Sequence, residues 1–205
     1  NIFMKFKYRA EIDGLRAIAV IGVVLYHAEI AFKNSVLFSG GFLGVDVFFV
    51  ISGYLITSII YEEYKNTGNF SYINFYKRRI RRLIPALFLV ILFSTIFSYK
   101  FLLPVEFKEY SFSTVSSIFF SSNLYFHFTG QAYGESILSS RILLHTWSLS
   151  VEEQFYIFYP FLLITFLTIF KKHTKTCILI FAFSSLVFAN VMNNSHQSFN
   201  FYMIF

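Results

Sequence analysis

The chain has 205 residues, of which 56% are hydrophobic, 22% aromatic and 14% charged, and it carries a formal net charge of +6. A soluble domain is usually about 25% charged, so this composition excludes an ordinary soluble fold, and one cysteine, Cys177, excludes a disulfide or a cysteine metal cluster within these residues. The basic residues cluster beside apolar runs, which fits the flanks of membrane helices rather than a nucleic-acid surface.

A spanning helix needs ~20 mostly apolar residues to cross ~30 Å of hydrocarbon. The first such run, residues 15–32, follows Lys5, Lys7 and Arg9 with no small-residue cleavage site, so no cleavable signal peptide is expected. The run contains Arg16 and His27. They lie eleven residues apart, almost three whole helical turns, so they share a face about 16 Å apart along the axis. Taken singly, Arg16 can snorkel to the surface and His27 can bond a helical neighbour. Together they suit one elongated ligand, and ionisable groups inside membrane segments commonly mark a site or pathway.

The second span, residues 42–61, opens on FSGGFLGVDVFF, where Gly40, Gly41 and Gly44 permit close helix approach. Asp46 is its only charge. Such a carboxylate can orient an imidazole, pair with an arginine, or simply face water at the outer interface. Next, KRRIRRLIP at 77–85 precedes the third span, residues 83–101. Four arginines in five positions form a positive-inside anchor. Arg79 and Arg82, as i, i+3 neighbours, also present two guanidinium forks suited to phosphate oxygens.

Residues 111–128, SFSTVSSIFFSSNLYFHF, are too polar to assign by hydropathy. Charge decides the case. If this stretch does not cross, the basic clusters at 5–9, 77–82 and 171–175 all fall in the cytoplasm, as the Lys/Arg rule requires. A re-entrant or interfacial helix on the outer side is therefore expected. The fourth span, 147–170, is introduced by His145 and Trp147 and carries Glu152 and Glu153 near its mouth. They are either solvated members of an outer interfacial belt or acid–base groups whose neutral form is favoured by shielding. A fifth span covers 176–193. The expected fold is all-α, a polytopic transmembrane bundle of about five spanning helices plus one re-entrant or interfacial helix. The first residue is Asn1 and the last run is FNFYMIF, so residues 1–205 are expected to be part of a longer chain.

Four stretches, EIDGLRAIAVIGVVLYH, GVDVFFVISGYLIT, RRIRRLIP and HTWSLSVEEQFY, occur in this order over residues 11–160. In this they resemble the acyltransferase family three membrane proteins, bacterial O-acetylases of lipopolysaccharide, peptidoglycan and other surface glycans. The resemblance implies that this is the amino-terminal part of one acyltransferase domain in the bacterial inner membrane, amino terminus cytoplasmic. It implies a cytosolic acyl-CoA donor, acetyl-CoA in the simplest case, and a surface or lipid-linked glycan hydroxyl as acceptor, with no bound cofactor, metal or nucleic acid. Carried onto this chain, Arg16, Arg79 and Arg82 would bind the donor and His27 would act as general base or acyl carrier. Asp46 or Glu152 would orient it or move a proton. A proton-coupled transporter of a glycan or small solute is the alternative, using the same intramembrane charges as a relay.

Overall fold

A computed structural model of the chain describes residues 9–32, 35–36, 38–129 and 142–193. Among them are seven helices and one two-stranded ribbon: α1 (Ala10–His27), β1 (Ala31–Phe32), β2 (Ser35–Val36), α2 (Leu43–Thr67), α3 (Tyr72–Phe101), α4 (Pro104–Ile118), α5 (Ser122–Phe128), α6 (Thr146–Ile169) and α7 (Thr174–Asn193). The chain forms two compact units, Asn1–Phe70 and Ser71–Phe205.

In the first unit α1 and α2 run antiparallel. Ala19 and Gly22 of α1 face Gly44 and Gly41, and the Arg9 guanidinium donates to the Tyr54 hydroxyl at the opposite end of the pair. The contact depends on missing side chains. A Cβ at Gly44 would lie 2.5 Å from the Ala19 carbonyl oxygen, and one at Gly41 would meet the Gly22 carbonyl and sit 2.8 Å from Tyr26 Cβ. Close backbone approach replaces the hydrophobic drive that lipid cannot supply. The first predicted span is shorter than expected: α1 stops at His27, Glu29 takes a left-handed φ of 47°, and the chain enters the antiparallel ribbon Ala31–Phe32 with Ser35–Val36.

In the second unit α3 and α6 are antiparallel. Tyr72 stacks on Phe161 with ring centroids 4.6 Å apart, and Tyr76 reaches the carbonyls of Tyr156 and Ile157. The chain between them folds back along α3: Tyr110 of α4 bonds Ser94 and Thr95, each at 2.8 Å. Residues 111–128 are not one helix, as the sequence suggested, but the end of α4, a break and α5. At the break Phe120 is left-handed, φ 51°, and Ser121 N–H bonds back to the Ser116 carbonyl at 2.8 Å. Serine hydroxyls here compete for backbone groups (Ser116, Ser117 and Ser121 all bond carbonyls in α4), which weakens helix continuation. The 15-residue α4 and seven-residue α5 are about 22 Å and 10 Å long, each too short to cross ~30 Å of hydrocarbon.

Three helices, α2, α3 and α7, are long and apolar enough to cross a membrane, and the molecule is an integral membrane protein. The predicted spans on α1 and α6 have sufficient length but fall outside that set: α1 carries three charges, Glu11, Asp13 and Arg16, and α6 is less apolar because Glu152, Glu153 and Gln154 lie in its first half.

Candidate functional site

The second unit assembles its site where the head of α3 crosses the middle of α6. Pro160 lies inside α6 and has no N–H for the carbonyl of Tyr156 four residues back. The Tyr76 hydroxyl takes over, shared between the Tyr156 carbonyl at 3.3 Å and that of Ile157 at 3.0 Å. One turn further along α3, the Arg79 guanidinium lies over the Tyr156 ring, its Cζ 3.3 Å from the centroid, with the Phe75 ring centroid 6.0 Å away. Tyr156 is 2% exposed, so this cation–π contact is largely desolvated, the setting in which such contacts are strongest. The Tyr156 hydroxyl donates to Glu152 Oε1 one turn earlier on α6. Glu153 feels the Arg79 charge and that of Glu152.

Arg79 and Arg82 are therefore unlike. Arg82 is exposed, whereas Arg79 is half-buried and its Nε is a buried donor with no hydrogen-bond partner among the described residues. Buried N–H donors nearly always find an acceptor, so a fixed guanidinium with a spare donor is suited to an anionic oxygen. The sequence reading put Glu152 and Glu153 at the outer mouth of their span and the arginines at the cytoplasmic flank. The structure brings the two groups together: Arg79 lies over Tyr156, whose hydroxyl bonds Glu152, and the Arg79 charge acts on Glu153.

A buried polar seam fixes α6 in that position. Ser117 Oγ and Thr146 Oγ1 are 2.8 Å apart, Thr146 donates to Ser122 at 3.0 Å, and Ser122 and Ser150 hydroxyls meet at 2.7 Å. Gln154 Nε2 donates to the Phe120 carbonyl at 2.8 Å and to Asn123 Oδ1 at 2.9 Å, and Asn123 Nδ2 donates back to Gln154 Oε1 at 3.2 Å. The irregular backbone at Phe120–Ser122 is thus satisfied by α6 side chains and by the Ser116 carbonyl, the condition under which such backbone is tolerated at membrane depth.

In the first unit Arg16 and His27 sit on one helix, as predicted. Arg16 Nη1 is 3.9 Å from Asp13 Oδ1, its side chain is 24% exposed, and its Nε is buried without a hydrogen-bond partner. His27 ends α1, exposed, its ring 5.0 Å from that of Tyr26. Asp46 is exposed in the first turn of α2. It lies two residues past Gly44, about 200° round the helix, and so away from the stripe that faces α1. The antiparallel register sets it level with Arg16 rather than with His27.

Sequence reasoning missed Tyr156, Tyr76 and the Asn123–Gln154 pair. Glu152 and Tyr156 at i, i+4, and a proline four residues after Tyr156, were readable signals. The 77-residue separation of Arg79 and Tyr156 was not.

The fold and site thus define a predominantly helical membrane protein whose second unit holds an arginine over a tyrosine ring beside two glutamates, braced by a bonded polar seam, and comparison places it in a family. The acyltransferase domain family matches residues 9–205, and the chain belongs to it. It is 41% identical over 174 residues to a Staphylococcus aureus (strain MSSA476) protein provisionally named an O-acetyltransferase, covering 84% of this chain and 28% of that protein. It is 42% identical over 174 residues (82% and 26%) to the provisionally named peptidoglycan O-acetyltransferase YrhL of Bacillus subtilis. It is 41% identical over 161 residues (78% and 25%) to peptidoglycan O-acetyltransferase OatA of Listeria monocytogenes. The chain spans about a quarter of the length of these curated relatives. No solved structure matches it.

Proposed function

We propose that the protein containing this chain is a membrane O-acyltransferase. It moves an acyl group, acetyl by analogy with the relatives' names, from cytosolic acyl-CoA to a hydroxyl of an extracytoplasmic glycan. Peptidoglycan is the first acceptor to test, since two of the relatives are named for it, with lipopolysaccharide or another surface polysaccharide behind it. The observation that carries the reading is the Arg79 guanidinium, held on Tyr156 with a buried spare donor beside exposed Arg82, in a chain of the acyltransferase domain family.

In this reading Arg16, Arg79 and Arg82 are the donor-binding cations. His27 takes the proton from the acceptor hydroxyl as its oxygen attacks the thioester carbonyl, and the coenzyme leaves as thiolate when the carbon–sulfur bond breaks. A first transfer of the acyl group to His27 itself is the covalent variant of the same chemistry. Glu152, held by Tyr156, moves a proton near the donor, and Asp46, level with Arg16, balances charge in the first unit.

The topology proposed has five crossings, α1, α2, α3, α6 and α7, with α4 and α5 as a re-entrant hairpin. The amino terminus then lies in the cytoplasm of a bacterial inner membrane. The antiparallel course of α3 and α6 supports this count, because a single crossing between them would make them parallel. The basic clusters at 77–82 and 171–175 then lie toward one end of that pair.

The test uses the intact protein in nanodiscs with radiolabelled acetyl-CoA and glycan. Wild type is expected to label the glycan. His27→Ala is expected to retain donor binding and lose transfer, because general-base help is realised in the transition state. Glycan movement coupled to protons without any acylation would overturn the proposal.

A further inference from the structure

We propose that Tyr156 is a positioning residue for the donor site, acting through Arg79: its ring face holds the guanidinium in the plane in which it meets donor phosphate. The inference rests on the acyltransferase reading and assigns a role to a residue that no motif argument singled out.

Three observations converge. First, the stack is close and desolvated, with Arg79 Cζ 3.3 Å from the centroid of a ring that is 2% exposed. A planar guanidinium on an aromatic face loses its rotational freedom but keeps its edge donors, the ones that form forked bonds to phosphate. Second, the ring itself is fixed from both ends. Its hydroxyl donates to Glu152, and its backbone carbonyl, which Pro160 cannot bond, is taken by Tyr76. Tyr76 is three residues before Arg79, so the same turn of α3 supplies both the clamp on Tyr156 and the group that Tyr156 holds. Third, the Arg79 Nε is buried and has no protein acceptor among the described residues. A purely structural arginine would be expected to satisfy that donor within the protein. A phosphate oxygen is the acceptor that the reading supplies. Arg82, exposed and outside the stack, has no such preorganisation, so the two arginines contribute unequally.

The experiment measures KM and kcat for acetyl-CoA with the intact protein in nanodiscs. Tyr156→Leu is expected to raise donor KM roughly tenfold, equivalent to ~1.4 kcal/mol, while any fall in kcat at saturating donor is expected to match that of Tyr156→Phe, since both variants release Glu152. Tyr156→Phe keeps the ring and is expected to hold donor KM within about twofold of wild type, roughly 0.4 kcal/mol. In the Arg79→Ala background, Tyr156→Leu is expected to add nothing further to KM, since it acts through a side chain already gone. Arg79→Lys keeps the charge without the plane and probes the stack from α3 should Tyr156→Leu not fold. It is expected to lose donor affinity to a similar degree and to be indifferent to Tyr156→Phe. Equal KM for Tyr156→Leu and wild type, additive losses in the double variant, or full donor affinity in Arg79→Lys each overturn the inference. Failure of the wild type to bind acetyl-CoA at all would instead sink the acyltransferase reading, so the two failures are separable.

Discussion

Replacing Gln154 by leucine tests whether the α4–α5 turn is held at depth by α6. The substitution roughly keeps side-chain volume, exchanges the polar carboxamide for an apolar branch, and deletes the bonds from Nε2 to the Phe120 carbonyl and Asn123 Oδ1, and from Asn123 Nδ2 to Oε1. Interhelical hydrogen bonds in membranes average ~0.6 kcal/mol because the unfolded chain in lipid also finds partners, so three bonds give a floor near 2 kcal/mol. Asn123 is 0% exposed, and taking away the Gln154 partner of three groups, the Phe120 carbonyl and both ends of the Asn123 carboxamide, costs at most ~3 kcal/mol each, which sets a ceiling near 9 kcal/mol. A loss of about 3 kcal/mol is the working expectation, which lowers the thermal midpoint by roughly 6–12 °C for a domain of this size. Thermal unfolding of the intact protein in nanodiscs, read by intrinsic fluorescence, measures the midpoint. Gln154→Glu should cost at least as much, since it loses both donors and brings a charge. A shift under 2 °C with Gln154→Leu would show that the seam carries no weight and that the turn is held by something else.

The topology predicts that cysteines at Leu103 and Thr129, in a Cys177→Ser background, label from one side of the membrane and a cysteine at Lys172 from the other; labelling of Thr129 and Lys172 from the same side refutes the re-entrant hairpin. Gly44→Val should separate α1 from α2, because even a Cβ there meets the Ala19 carbonyl oxygen at 2.5 Å; unchanged thermal stability would mean that the pair does not pack as described. Arg82→Ala should weaken acetyl-CoA binding less than Arg79→Ala, with the loss of a charge-assisted contact set at ~1.5–3 kcal/mol and the larger share on Arg79. Isothermal titration ranks the two, and the reverse order would contradict the stack.

The long helices were legible because apolar length is a one-dimensional property. α2 and α7 lie where uncharged runs predicted them, α3 reaches back to Tyr72 and takes in the arginine cluster expected to precede it, and α1 lost the stretch beyond His27, where Glu29 leaves helical geometry. The break at Phe120 was not legible. Serines inside a membrane segment either continue a helix by bonding carbonyls or end it, and the choice depended on Gln154 and Ser150 from another helix. The grouping of Arg79 with Tyr156 and Glu152 failed for a similar reason. Motif reasoning fixed the residue types and their helical faces, but the axial offset of α6 along α3 is set by the intervening fold-back, which no local pattern encodes.

Of the five described helices of 18 residues or more, the two outside the set that can cross a membrane on apolarity alone, α1 and α6, are the ones that carry Arg16, His27, Glu152 and Glu153. That coincidence has a physical basis. Lipid is as apolar as leucine, so a charge-bearing helix gains nothing by hydrophobic burial and must be retained by contacts that lipid cannot offer. Each of the two is held in that way: α1 by backbone approach at Gly22, Gly41 and Gly44, and α6 by the serine and carboxamide seam, with Tyr76 replacing the hydrogen bond that Pro160 removes. In the five-crossing topology proposed, the glycine contact of the first unit and the polar seam of the second each hold in place a helix whose charges would otherwise favour leaving the membrane.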